Sequence, residues 1–98
     1  LAARRAGVDG RILGSLQASN HGIDWPKQAA YNLERMMVHG RRRAAEMREV
    51  AATLDELGLP SALAQATADW QQRIGDLELP GGSEDFAARA EAILGRLD

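Results

Sequence analysis

Apolar side chains recur along this chain at steps of three and four, between short polar or glycine-rich stretches. That is the period of amphipathic helices rather than of strands. The opening run Leu1-Ala2-Ala3-Arg4-Arg5-Ala6 reads as helix and stops at Gly7, a suitable left-handed C′ residue. Asp9 is placed to cap a helix over roughly residues 10–18, with Ile12, Leu13 and Leu16 on one side. Ser19-Asn20-His21-Gly22 is a loop by composition, and Asp24 then caps a helix with Pro26 in its first turn. Trp25, Ala29, Leu33 and Met36 form its stripe, and Gly40 predicts a break or kink. A further helix over roughly residues 41–57 would bury Ala44, Met47, Val50, Ala51, Leu54 and Leu57, ending at Gly58 and Pro60. Ser61 caps the next, with Leu63, Ala66, Trp70 and Ile74 inward. After the Leu79-Pro80-Gly81-Gly82 turn, Ser83 caps a last helix whose inward face is Phe86, Ala90, Ile93 and Leu97. Strict alternation never persists, so no strand is expected. The prediction is an all-α fold, a bundle of about five helices in one domain over residues 1–98, with residues 83–98 a candidate C-terminal arm.

Composition narrows the function classes. With no cysteine there is neither a disulfide framework nor a thiolate metal site, and the two histidines lack acidic neighbours at ligand spacing, so no metal is expected. Apolar runs are only a few residues long, which excludes a membrane span, and a cytoplasmic location is expected. The chain opens without Met inside an apparent helix, and we expect it to be a piece of a longer protein. The formal net charge of −2 hides an asymmetry: residues 1–54 carry nine basic and five acidic side chains, residues 55–98 three and nine. Lys27 is the only lysine. The cations are therefore almost all arginine, whose planar fork suits carboxylates and phosphates.

The one dense polar cluster lies between Tyr31 and Glu46. On a helix, His39, Arg42, Arg43 and Glu46 fall at i, i+3, i+4 and i+7, a single stripe. An imidazole, two guanidiniums and a carboxylate there would suit an anionic ligand, with Arg binding it in bidentate fashion and Glu46 orienting an Arg. The same spacing also suits a solvated face whose Arg–Glu pairs contribute a few tenths of a kcal/mol each. Arg41-Arg42-Arg43 is not read as a nucleic-acid site, because Glu34, Glu46 and Glu49 interleave with it and no aromatic ladder accompanies it.

The run Tyr31-Asn32-Leu33-Glu34-Arg35-Met36-Met37-Val38-His39-Gly40-Arg41-Arg42-Arg43-Ala44-Ala45-Glu46-Met47 resembles the C-terminal domain of NAD(P)-dependent oxidoreductases related to 6-phosphogluconate dehydrogenase and the β-hydroxyacid dehydrogenases. The nearest likeness is to a subgroup carrying a domain of unknown function at this place. It extends from about Leu1 to Leu79, and Leu57-Gly58-Leu59-Pro60 resembles the turn that follows the corresponding helix. The resemblance implies an N-terminal Rossmann domain that binds NAD or NADP, and a catalytic lysine near the start of the helix joining the domains, both upstream of this chain. In the β-hydroxyacid dehydrogenases a Lys-Asp pair lies near the cofactor. Counted back from Pro60 its positions are Ala45 and Glu46, so the lysine role is lost here and the acidic one kept.

The expected function is therefore the substrate-cleft and dimerisation domain of an NAD(P)-dependent oxidoreductase acting on a small anionic hydroxy acid or related substrate. His39, Arg42, Arg43 and Glu46 would bind that substrate. The partners expected are its own Rossmann domain and a second subunit, with no nucleic acid and no membrane. Met36, Met37 and Trp70 with the final helix are the expected surplus apolar surface. The competing expectation is a helical interaction or scaffold module without a ligand.

Overall fold

The computed structural model describes all 98 residues, Leu1–Asp98, and contains five helices and no strand. They are α1 (Ala2–Arg5), α2 (Asp9–Ser19), α3 (Trp25–Glu56), α4 (Ala62–Gly75) and α5 (Phe86–Leu97). The all-α expectation holds, and the breaks near Gly7, His21, Gly58 and Pro80 are present. The break at Gly40 is not, because α3 runs through it for 32 residues. The residues that follow it, Arg41 to Met47, are good helix formers, and the glycine itself is occupied in a contact described below, which offsets its poor propensity. Contacts divide the chain into two compact units, Leu1–Glu34 with Gly81–Asp98, and Arg35–Pro80.

In the first unit, α1 ends as its sequence suggests. Gly7 has φ +75°, and Val8 N–H donates to the Ala3 carbonyl at 2.9 Å, which satisfies an orphan carbonyl of the last turn. Arg4 bridges to Asp9 (3.2 Å) and Glu91 (2.9 Å), and Arg5 to Asp98 (2.7 Å). Asp9 is thus not the cap of α2: Val8 occupies that position, and the carboxylate pairs with Arg4 from the first turn. The apolar side expected of α2 is poorly covered, with Ile12 46% and Leu16 39% exposed. The core comes instead from Ala30 and Leu33 of α3 and Ala90, Ile93 and Leu94 of α5. The α5 cap is Asp85, whose Oδ2 accepts from Ala88 N–H at 2.9 Å, while Ser83 Oγ accepts from Asp85 N–H instead. Arg89 is buried on the inner face of α5, where its Nε and Nη1 donate at 2.8 Å to the Gly81 and Ala30 carbonyls. These bonds lower the cost of placing a guanidinium there.

The second unit rests on a contact between two glycines. A Cβ on Gly40 would collide with the Gln71 carbonyl oxygen and lie 2.9 Å from Gly75 Cα; one on Gly75 would lie 2.7 Å from Arg41 N. Backbone therefore touches backbone where α3 meets α4. Small side chains fill the interior beside it: Ala44 and Ala51 from α3, Ala64 and Ala68 from α4, closed off by Met37 and Ile74. This close approach overturns most of the inward face expected of α4. Ile74 is buried, but Leu63 is 82% and Trp70 39% exposed, because the narrow gap selects the small-residue side of the helix. On α3, Ala44 and Ala51 are buried as expected, whereas Val50 (46%) and Leu57 (68%) are exposed. Gly58 at φ +71° ends α3, with Leu59 N–H donating to the Leu54 carbonyl at 2.9 Å. Ser61 stands at the N-cap of α4 without capping it. Its buried hydroxyl donates to Asp55 Oδ1 and accepts from Gln65 Nε2, both at 2.7 Å.

Substituting Gly40 or Gly75 by Ala should cost about 1–3 kcal/mol, since the backbones must part to admit a methyl group. Gly14 lies within α2 and a Cβ there meets nothing within 4 Å. Gly14→Ala should therefore stabilise by roughly 0.5–1 kcal/mol. Thermal midpoints of the three variants check this; a midpoint for Gly40→Ala equal to wild type would contradict the crossing geometry.

Candidate functional site

The polar cluster lies on the middle of α3, and the uninterrupted helix makes its geometry simple. Each residue turns the helix by about 100°, so Arg42, Glu46, His39 and Arg43 span an arc of about 100° in that order. Burial rises along the same arc. Arg42 and Glu46 face solvent, and Arg42 Nη1 donates to Glu46 Oε1 at 2.7 Å with both side chains 60% exposed. His39 and Arg43 are half-buried, next in line with the half-buried Met36 and Met47. The stripe read from sequence is thus one surface with two parts: a solvated Arg42–Glu46 pair and a drier His39–Arg43 pair four residues apart.

Arg41 belongs elsewhere. Its Nε donates to Asp76 Oδ1 at 2.7 Å and its Nη1 lies 3.2 Å from Glu78 Oε1. The hydrogen bond from Arg41, helped by one from Gln72, holds the Asp76 carboxyl below its ordinary value, and the Asp76 bond raises the Arg41 guanidinium in turn. Glu78 sits at φ +55°, a left-handed conformation uncommon outside glycine, in the segment that turns away from α4. An open hollow of about 380 Å³ lies alongside, bounded by Arg41 and Glu78 and by apolar Met37, Val38, Leu79 and Pro80.

This cluster is the end of a longer edge that the sequence reading did not isolate. Arg41, Arg48 and Asp55 follow one another at intervals of seven and reach, respectively, Asp76 and Glu78, Asp69 (3.5 Å) and Ser61. A seven-residue spacing keeps side chains on one side of a helix, so the repeat was the available signal. Arg89 was also missed; a single arginine among alanines in α5 gives no sign that two carbonyls await it. Met37, placed among the surplus apolar surface, is buried at 3% exposure and belongs to the core. No three His, Cys, Asp or Glu side chains converge as a metal site would need, and no helix is long and apolar enough to cross a membrane.

A second hollow, about 430 Å³, opens at the start of α3 between Ile23, Asp24, Lys27 and Tyr31. Asp24 caps the helix there, accepting from Lys27 N–H at 3.2 Å. Neither hollow contains a residue of the His39–Glu46 stripe.

A family model described as a domain of unknown function, DUF1932, matches residues 3–74, which takes in α1 from Ala3, all of α2 and α3, and α4 up to Ile74. No curated protein matches, and no solved structure matches.

Because the Asp76 carboxyl is held low, its contribution to stability is present above the unfolded aspartate value of about 3.9 and is lost as pH falls through the lowered folded value. Nuclear magnetic resonance titration should place Asp76 below that reference in the wild type and return it upward in Arg41→Ala. An unchanged Asp76 titration in that variant would show that the ion pair does not persist in solution.

Proposed function

Because the chain belongs to the DUF1932 family and its Tyr31–Met47 run resembles the C-terminal domain of 6-phosphogluconate dehydrogenase relatives, we propose that it is the substrate-cleft and dimerisation domain of an NAD(P)-dependent oxidoreductase. The substrate class is a small anionic hydroxy acid or a related compound. The carrying observation is that the family match covers the whole of α3, the helix that holds the Arg35-Met36…His39…Arg42-Arg43…Glu46-Met47 run.

In this reading, NAD or NADP is held mainly by a Rossmann domain upstream, and the catalytic lysine stands near the start of the helix that joins the two domains. The present chain supplies one wall of the cleft. Arg43 and His39 are the stronger contacts to the substrate's anionic group, because their half-buried setting beside Met36 and Met47 excludes part of the competing water. Arg42 adds charge from the solvent side, and Glu46 orients it through their 2.7 Å bond. The domain positions and polarises its substrate; hydride transfer belongs to the cofactor.

The test uses the intact protein that carries this chain. Fluorescence titration with NADH and NADPH reports cofactor binding, and specificity constants over a panel of small hydroxy acids report the cleft. Arg43→Ala should lose about 2–5 kcal/mol of transition-state stabilisation. His39→Ala should fall with it, Arg42→Ala and Glu46→Gln should lose less, and Arg41→Ala should leave the specificity constant nearly unchanged. Absence of dinucleotide binding, or equal small effects at all three arginines, would overturn the reading and leave a helical interaction module.

A further inference from the structure

His39 and Arg43 stand among apolar side chains. On α3, Met36, His39, Arg43, Met47, Val50 and Leu54 fall within an arc of about 80°. On α4, Leu63, Trp70 and Ile74 share one side with Thr67. The two sets lie on the same flank of the pair. The helices are antiparallel, with Gly40 against Gly75, Arg48 against Asp69 and Asp55 against Ser61. Turning either helix away from the Arg48–Asp69 tie, past its facing line, brings up Arg43 and Val50 on α3 and Leu63 and Trp70 on α4. Val50 (46% exposed), Trp70 (39%) and Leu63 (82%) are open there. The polar groups of this flank are few and mostly committed. Arg42 engages Glu46 at 2.7 Å. Thr67 donates its hydroxyl proton to the Leu63 carbonyl at 2.8 Å. Gln71 Oε1 is buried out of reach of solvent. Arg73 lies over the Trp70 ring at the far rim, 5.8 Å from its centre. Arg43 and His39, neither of which belongs to an ion pair, remain to receive a ligand.

We propose that the substrate of this cleft is an acid with an apolar body, an aliphatic or aromatic chain rather than a polyhydroxylated one. The inference rests on the cleft reading above and narrows its substrate class. Charge complementarity fixes one end: the acid group pairs with Arg43 and His39. The body then runs along Met47 and Val50 toward Trp70. Arg43 and Val50 are two helical turns apart, about 10 Å, so the body is several carbons long. A hydroxyl laid on this surface gives up its water and meets no free partner, whereas a methylene gains by leaving water. The same surface therefore favours an alkyl or aryl acid and disfavours a sugar acid.

Isothermal titration calorimetry of the intact protein, saturated with its dinucleotide, against propanoate, pentanoate, heptanoate and gluconate tests the inference. Affinity should rise about threefold per added methylene along the straight-chain acids, and heptanoate should bind about tenfold or more tighter than gluconate. Trp70→Ala and Val50→Thr, with circular dichroism as the control on folding, should shrink the ratio of heptanoate to propanoate affinity severalfold. Arg43→Ala should weaken every acid. Affinity independent of chain length, or tighter binding of gluconate than of heptanoate, would overturn the apolar body and leave the cleft standing. So would a chain-length gain that neither Trp70→Ala nor Val50→Thr alters. Failure to bind any of the four acids, or equal affinities in wild type and Arg43→Ala, would overturn the cleft reading itself.

Discussion

The contact of Gly40 with Gly75 sets the distance between α3 and α4, and much of the second unit follows from that distance. Two backbones in van der Waals contact leave no room for leucine or tryptophan between them, so the interior takes Ala44, Ala51, Ala64 and Ala68. The larger apolar residues of α4 are turned outward. A helix-breaking residue by propensity is here a helix-joining one: its cost within α3 is offset by the approach it permits.

The same register sorts the polar groups. With Gly40 against Gly75, Arg41 comes to Asp76 and Glu78, Arg48 to Asp69, and Asp55 to Ser61. Exposed pairs of this kind contribute little individually. Their value is orientation, because they fix which flank of the pair carries the cross-helix ties. They also remove Arg41 from the set of arginines open to a ligand, so the triple arginine divides into one cross-helix tie, one solvated pair with Glu46, and one half-buried cation beside His39.

Much of the fold could be read from the chain. Gly7 and Gly58 as C′ residues, Asp24 as a cap and the apolar period of α5 all act through local backbone chemistry, which sequence states directly. What was not legible depends on which face meets which neighbour. Leu63, Ala66 and Trp70 have the period of a core stripe, and hydrophobicity alone ranks them above Ala64 and Ala68; only the proximity of Gly75 to Gly40 reverses that order. Likewise Asp9 and Ser61 are good caps by type, but Arg4 and Asp55 claim their side chains first. At the candidate site the stripe His39–Arg42–Arg43–Glu46 was legible as a surface, since spacing defines it. Its division into a wet and a drier half was not, because that depends on where the stripe meets the buried face of α3.

Amide hydrogen exchange on the intact protein tests the central claim most directly. If the glycine contact holds the α3–α4 unit together, amides from Met37 to Ala51 and from Ala64 to Gly75 should exchange as one cooperative group, and Gly40→Ala should accelerate both stretches equally. Acceleration confined to the turn around residue 40, with α4 protected as before, would show that the two helices are held by something other than this contact.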